Sequence, residues 1–229
     1  MFRNKQNANY GVIGLGRFGF ALAKTLAESG KEILVIDNNE NKIKAIRDYT
    51  ENAYVVSSLD KETLEDTGMQ NCDTVIVCIG ESIDVSILTT LNVISLGVKR
   101  VISKAFSYEH GLVLEKLGAE VVYPETDMAV RLAKKLLSPN ILESIELRDD
   151  IAISELNLTA KIAGKTVLEA NLRQKYKLNI IAMEQQGKTT TEITPNFKLN
   201  VNDKMVVIGN RENIKRFEAF LYDNSLDKS

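Results

Sequence analysis

Gly14, Gly16 and Gly19 stand in the order G-x-G-x-x-G, with Arg17 between the second and third and Asp37 about 20 residues further on. Residues of these types at this spacing suit an adenine nucleotide. Gly14 makes a tight turn, Gly16 lets backbone approach a phosphate, and Gly19 lets a helix pack close to a strand. The helix that follows offers unpaired N–H groups and a positive dipole end to an anion. The Arg17 charge can reach phosphates beyond those that the backbone cradles; the alternative is an exposed arginine in a turn. Asp37 can take the hydroxyls of an adenosine ribose, which disfavours a 2′-phosphate and so NADP; otherwise it caps the helix that follows. Phe18 and Asn38 flank these positions and complete the candidate cradle.

Elements of alternating type must position these groups. A short apolar run at the start of the segment Tyr10 to Asp37 and a second at Glu32 to Ile36 read as strands around a helix carrying Phe20, Leu22, Ala23, Leu26 and Ala27. Beyond Asp37 the spacing predicts helices over 41–49, 61–67, 82–96, 107–117 and 126–138. Strands are predicted over 53–57, 73–79, 100–103 and 120–123. Continuous Val/Ile runs suit strands covered on both faces, so the fold class is α/β, a doubly wound, mostly parallel Rossmann-like sheet. Ligands of such sheets lie beyond the carboxyl ends of the strands. That rule adds Ser57 and Ser58, Gly80 and Glu81, Lys104, and Glu125 as candidates. Ser58 would line the adenine and Lys104 meet a phosphate, whereas Glu125 beside phosphates needs a bridging divalent cation. Each has a plainer alternative as a loop serine, a solvated lysine or a helix-terminal acid.

At Ser138-Pro139-Asn140 the texture changes, and the boundary is expected near residue 140, giving domains 1–140 and 141–229. Residues 141–153 read as a connector with strand character. The remainder reads as a small α+β C-terminal domain with strands over 152–158, 178–184, 190–193 and 204–208. A short helix falls within 163–172 and a closing helix over 211–221.

The chain has 229 residues, 44% apolar and 26% charged, with a formal net charge of −2. This balance gives no reason to expect nucleic acid. No stretch reaches the roughly 18 apolar residues of a membrane span. The N-terminal MFRNKQNANY has no signal-type apolar core, so a cytoplasmic location is expected. Cys72 and Cys78 read as free thiols. His110, the only histidine, lies in a polar stretch with no link to either, so cysteine or His/Cys-metal catalysis is not expected. A nicotinamide dehydrogenase would need an acid or base at the hydride site. Nothing in the second half groups such residues, which favours a sensor over an enzyme. A small NAD(H)-dependent oxidoreductase and a stand-alone redox or nucleotide sensor are the alternatives.

GLGRFG, the terminal Asp37, VIVCIG, VISKA and PETDM resemble the regulator-of-potassium-conductance (RCK) domains. GKTVLEANLRQKY, NIIAMEQQG and VNDKMVVIGNRENIKRFEAF resemble the smaller C-terminal module of the same regulators. The resemblance covers roughly residues 8 to 222 and is strongest to the KtrA/TrkA-type cytosolic subunits of bacterial potassium uptake systems. It implies a regulatory subunit without catalytic activity. It also implies a dimer that assembles into an octameric ring on the inner face of a membrane-embedded, KtrB/TrkH-like potassium-translocating subunit. ATP and ADP, or NAD(H) in some relatives, would bind the N-domain and favour different ring shapes. Carried over by position, Gly14, Gly16, Arg17 and Lys104 meet phosphates, Asp37 the ribose and Ser58 the adenine region. Glu125 would help hold a divalent cation (Mg or Ca) at the γ-phosphate between subunits. Cyclic di-AMP would bind the C-module at Val167, Asn171, Leu172, Arg173, Asn179, Ile180 and Pro195. The chain departs from the family pattern at Lys177, where glycine is usual, and at Asn171, where an acid is frequent.

Overall fold

A computed structural model describes residues 8–80, 82–137 and 141–222. The expected boundary at residue 140, the Glu81 candidate and both chain ends lie outside the described residues. The chain divides into two compact units, Met1–Met128 and Ala129–Ser229.

The first unit holds strands β1 (Tyr10–Ile13), β2 (Ile33–Asp37), β3 (Ala53–Val55), β4 (Thr74–Val77), β5 (Arg100–Lys104) and β6 (Glu120–Val122). Between them run helices α1 (Arg17–Glu28), α2 (Glu40–Ile46), α3 (Lys61–Thr67), α4 (Ile83–Ser95) and α5 (Tyr108–Leu117). Helix α6 (Pro124–Leu137) follows, its residues up to Met128 belonging to this unit. The sheet is fully parallel in the order β3-β2-β1-β4-β5-β6. Its strand order reverses between β1 and β4, which is where a ligand crevice opens in such sheets.

Strand alternation builds two apolar layers. Val12, Ile33, Val35 and Ile76 face a core shared with Ala23 of α1 and with Ile43 and Ile46 of α2. Ile13, Leu34, Ile36, Val75 and Val77 face the opposite core with Leu64 of α3 and Val93 of α4. Both faces are therefore covered, and the strands needed the continuous apolar runs seen in the sequence.

The second unit contains β7 (Ile141–Glu146), β8 (Ile151–Asn157), α7 (Val167–Ala170), α8 (Leu172–Tyr176), β9 (Asn179–Gln185), β10 (Lys188–Thr190), β11 (Lys204–Asn210) and α9 (Arg211–Tyr222). Its strands pair antiparallel in the order β10-β9-β11-β8-β7. Phe217 and Ile214 of α9 close a core with Leu156, Met183, Met205 and Val207.

Two expectations change here. The segment 141–153 is a true β7–β8 hairpin, turning at Asp149 and Asp150, both at positive φ. That is the turn geometry that matches strand twist, although no glycine announces it. The strand expected over 190–193 is instead Lys188–Thr190, because Gln186 and Gly187 at positive φ place the hairpin turn earlier.

Candidate nucleotide site

The glycine turn is built as its spacing requires. Gly14 adopts φ +93, a conformation costly for other residues. A Cβ on Gly19 would collide with the Gly14 carbonyl oxygen and stand 3.0 Å from Cys78 Cβ, so only glycine lets α1 sit this close to the glycine turn. A Cβ on Gly16 would meet nothing within 4 Å. Gly16 is also the N-cap of α1 and has no side chain to satisfy the first-turn N–H groups. An open, uncapped helix N-terminus at the strand switch fits a phosphate group, with Arg17 exposed beside it.

Asp37 ends β2 and is buried. Its Oδ2 accepts the Leu15 N–H at 2.5 Å, its Oδ1 accepts the Asn39 N–H at 2.8 Å, and Lys42 Nζ lies 3.6 Å from Oδ2. The capping alternative for Asp37 is overturned: Asn39 caps α2, accepting from the Asn41 and Lys42 N–H groups. A carboxylate has about four acceptor positions, so Asp37 retains capacity for ribose hydroxyls. Asn38 is exposed, and Phe18 packs against the α1 side of the sheet.

At the far side of the crevice, Lys104 at the end of β5 is largely covered, with 13% of its side chain exposed. Its Nζ lies 3.2 Å from where a Gly80 Cβ would be. It pairs with Glu125 Oε1 at 2.6 Å. The helix expected to start at residue 126 starts at Pro124, a residue suited to a first helical position, which puts Glu125 inside the first turn of α6. The Lys104 ammonium, and more weakly the Arg17 guanidinium, hold the Glu125 carboxyl below the usual carboxylate range. Among the described residues no group of three or more His, Cys, Asp or Glu side chains gathers as a metal site, so Glu125 is not by itself a cation cage. Ser57 is exposed, and the Ser58 hydroxyl donates to Asp60 Oδ2 at 2.5 Å beside the cap of α3.

Burial pushes the Cys72 and Cys78 thiols up to about 12, so both are protonated and unreactive. His110, although its sequence neighbours are polar, is buried, and its Nδ1 accepts the Phe106 N–H at 3.2 Å.

In the second unit the seven cyclic-dinucleotide candidates split. Pro195 accepts the Leu168 N–H at 2.9 Å and Phe197 accepts the Val167 N–H at 3.0 Å, which draws Pro195 to the start of α7. Asn171, at φ +49, and exposed Arg173 follow at the α7–α8 junction. Leu172 is buried in the core. Asn179 and Ile180 open β9, Ile180 packing on that core. Lys177, the departure from glycine, adopts the left-handed conformation at φ +56.

The TrkA-N domain family matches residues 10–124 and the TrkA-C domain family residues 151–222. Ktr system potassium uptake protein A of Bacillus subtilis (strain 168) is 37% identical over 214 residues, covering 93% of this chain and 96% of that protein. Ktr system potassium uptake protein C of the same organism is 38% identical over 210 residues, covering 91% and 95%. The chain belongs to the Ktr/Trk family of potassium uptake proteins.

The relatives of this Ktr/Trk chain are potassium uptake proteins rather than enzymes. A solved RCK domain, that of GsuK, matches at a TM-score of 0.50 and 22% identity over 96% of this chain and 48% of that one, a likeness of fold. No helix among the described residues is long and apolar enough to cross a membrane.

Sequence reasoning missed Leu15, Asn39 and Lys42 as the groups that hold Asp37. The helix-capping type of Asn39, two residues past the acid, was a readable signal. The Leu15 contribution is a backbone N–H, which carries no side-chain signature.

Proposed function

We propose that the chain is the cytoplasmic nucleotide-binding gating subunit of a potassium uptake system, bound to the inner membrane face through a KtrB/TrkH-like subunit. The observation that carries this reading is the open Gly16 helix terminus beside exposed Arg17 at the strand switch, with the buried Asp37 carboxylate tied to the adjoining Leu15 N–H and Lys104 at the end of β5 beside Gly80. An adenosine ribose at Asp37 and phosphates at the α1 terminus account for this placement of charges. The γ-phosphate of ATP adds contacts that ADP lacks, and only such a difference in affinity can shift a ring between two shapes.

Exposed apolar side chains on α4 (Ile83, Leu88, Leu91) and α5 (Leu112, Val113) support self-association into a dimer and ring, which would cover them. Within that ring a divalent cation at Glu125 would draw its remaining ligands from phosphates or a neighbouring subunit. Cyclic di-AMP is the proposed effector of the second unit, by way of Asn171, Arg173 and Pro195.

A thermal-shift panel with ATP, ADP, AMP, NADH, NADPH and cyclic di-AMP tests this. A ligand at 100 times its dissociation constant stabilises by about 2.7 kcal/mol. The expected result is a shift from ATP and from ADP, little from NADPH, and a separate shift from cyclic di-AMP. A dominant NADH shift with none from ATP or ADP overturns the gating-nucleotide reading in favour of a redox sensor or dehydrogenase.

A further inference from the structure

We propose that Glu125 is an intramolecular latch on Lys104: the carboxylate occupies the ammonium in the empty site and must leave it when nucleotide phosphates arrive. The inference rests on the nucleotide reading above and concerns how that site is regulated.

The geometry gives the two partners unequal freedom. Lys104 is 13% exposed and held beside Gly80, whereas the Glu125 side chain is 69% exposed. An incoming phosphate therefore meets a fixed ammonium and a carboxylate that can swing out. At 2.6 Å the pair is a direct charge-assisted contact, the same kind of contact that a phosphate oxygen would make. Phosphate and carboxylate are like charges competing for one cation, so both cannot hold it without mutual repulsion. Once displaced, Glu125 is not stranded. It lies in the first turn of α6, where the helix dipole favours an acid and where it is free to take the divalent cation proposed above. The latch thus sets a threshold for phosphate binding at small cost to the fold. Arg17, whose charge also acts on Glu125, shares in that neutralisation.

A double-mutant cycle tests the latch. ADP affinity is measured by calorimetry in EDTA, on the full chain, for wild type, Glu125→Gln, Lys104→Gln and the double variant. Removing an ion pair with one exposed partner changes the balance modestly, so Glu125→Gln is expected to tighten ADP about 2- to 5-fold. In the Lys104→Gln background the same change is expected to do nothing, because there is no ammonium to release. Equal tightening in both backgrounds overturns the latch and leaves only through-space repulsion. Unchanged or weaker ADP binding by Glu125→Gln overturns it as well. Failure of ADP to bind wild type and all variants instead overturns the nucleotide reading, and the latch falls with it.

Discussion

Asp37 Oδ2 accepts the Leu15 N–H at 2.5 Å, tying the end of β2 to the glycine turn that follows β1. With the Asn39 N–H on Oδ1, the carboxylate organises two loops before any ligand binds. Asp37→Ala is therefore expected to cost about 1–3 kcal/mol of stability in the ligand-free protein, the range for stranding buried donors. Urea unfolding without nucleotide checks it. A variant as stable as wild type would mean that Asp37 serves the ligand alone.

Arg17 stands at the mouth of α1 and reaches the same field as Lys104 and Glu125. Arg17→Ala is expected to narrow the gap between ATP and ADP affinity while leaving AMP nearly unchanged. A charge-assisted contact is worth about 1.5–3 kcal/mol, so ATP should weaken at least 10-fold. Calorimetric titration of the three nucleotides reads this directly. Equal losses for all three would assign Arg17 to the fold or to the α-phosphate.

Lys177, the C-cap of α8, adopts the left-handed conformation, in which a Cβ costs strain. Lys177→Gly is expected to stabilise the protein by about 1 kcal/mol, since glycine adopts that φ without a Cβ clash. Chemical denaturation should show a higher midpoint. A lower one would mean that glycine's extra freedom in the unfolded chain outweighs the relieved strain.

His110 is 3% exposed, its Nε2 finds no hydrogen-bond partner among the described residues, and burial lowers its pKa below 6.5. The unfolded chain, titrating near 6.5, then binds the proton more readily than the folded one. Stability is full above that value and falls as pH drops below it, by at most about 1.4 kcal/mol per pH unit. His110→Asn can keep an acceptor for the Phe106 N–H and carries no titrating ring. It is expected to flatten this loss between pH 7 and 5.5, as read by urea midpoints across the range. An unchanged slope would assign the loss to other groups.

The features legible in the sequence were those encoded locally. The G-x-G-x-x-G spacing, the apolar periods and the acid closing the second strand depend on near neighbours, and the glycine turn and parallel sheet follow from them. What only the tertiary structure decided was pairing across distance. Lys104 and Glu125, 21 residues apart, meet because adjacent strand ends open on one crevice. Asp37 reaches Leu15 across 22 residues. The burial of His110 could not be read from its polar neighbours, because it depends on what packs against α5. The hairpin at residues 141–153 was hidden for a related reason. Its turn residues, Asp149 and Asp150, are forced to positive φ by the strands they join, whereas their own preference only tolerates it. Local propensity names the elements; the contacts that give a charged side chain its partner form only once the sheet has brought those elements together.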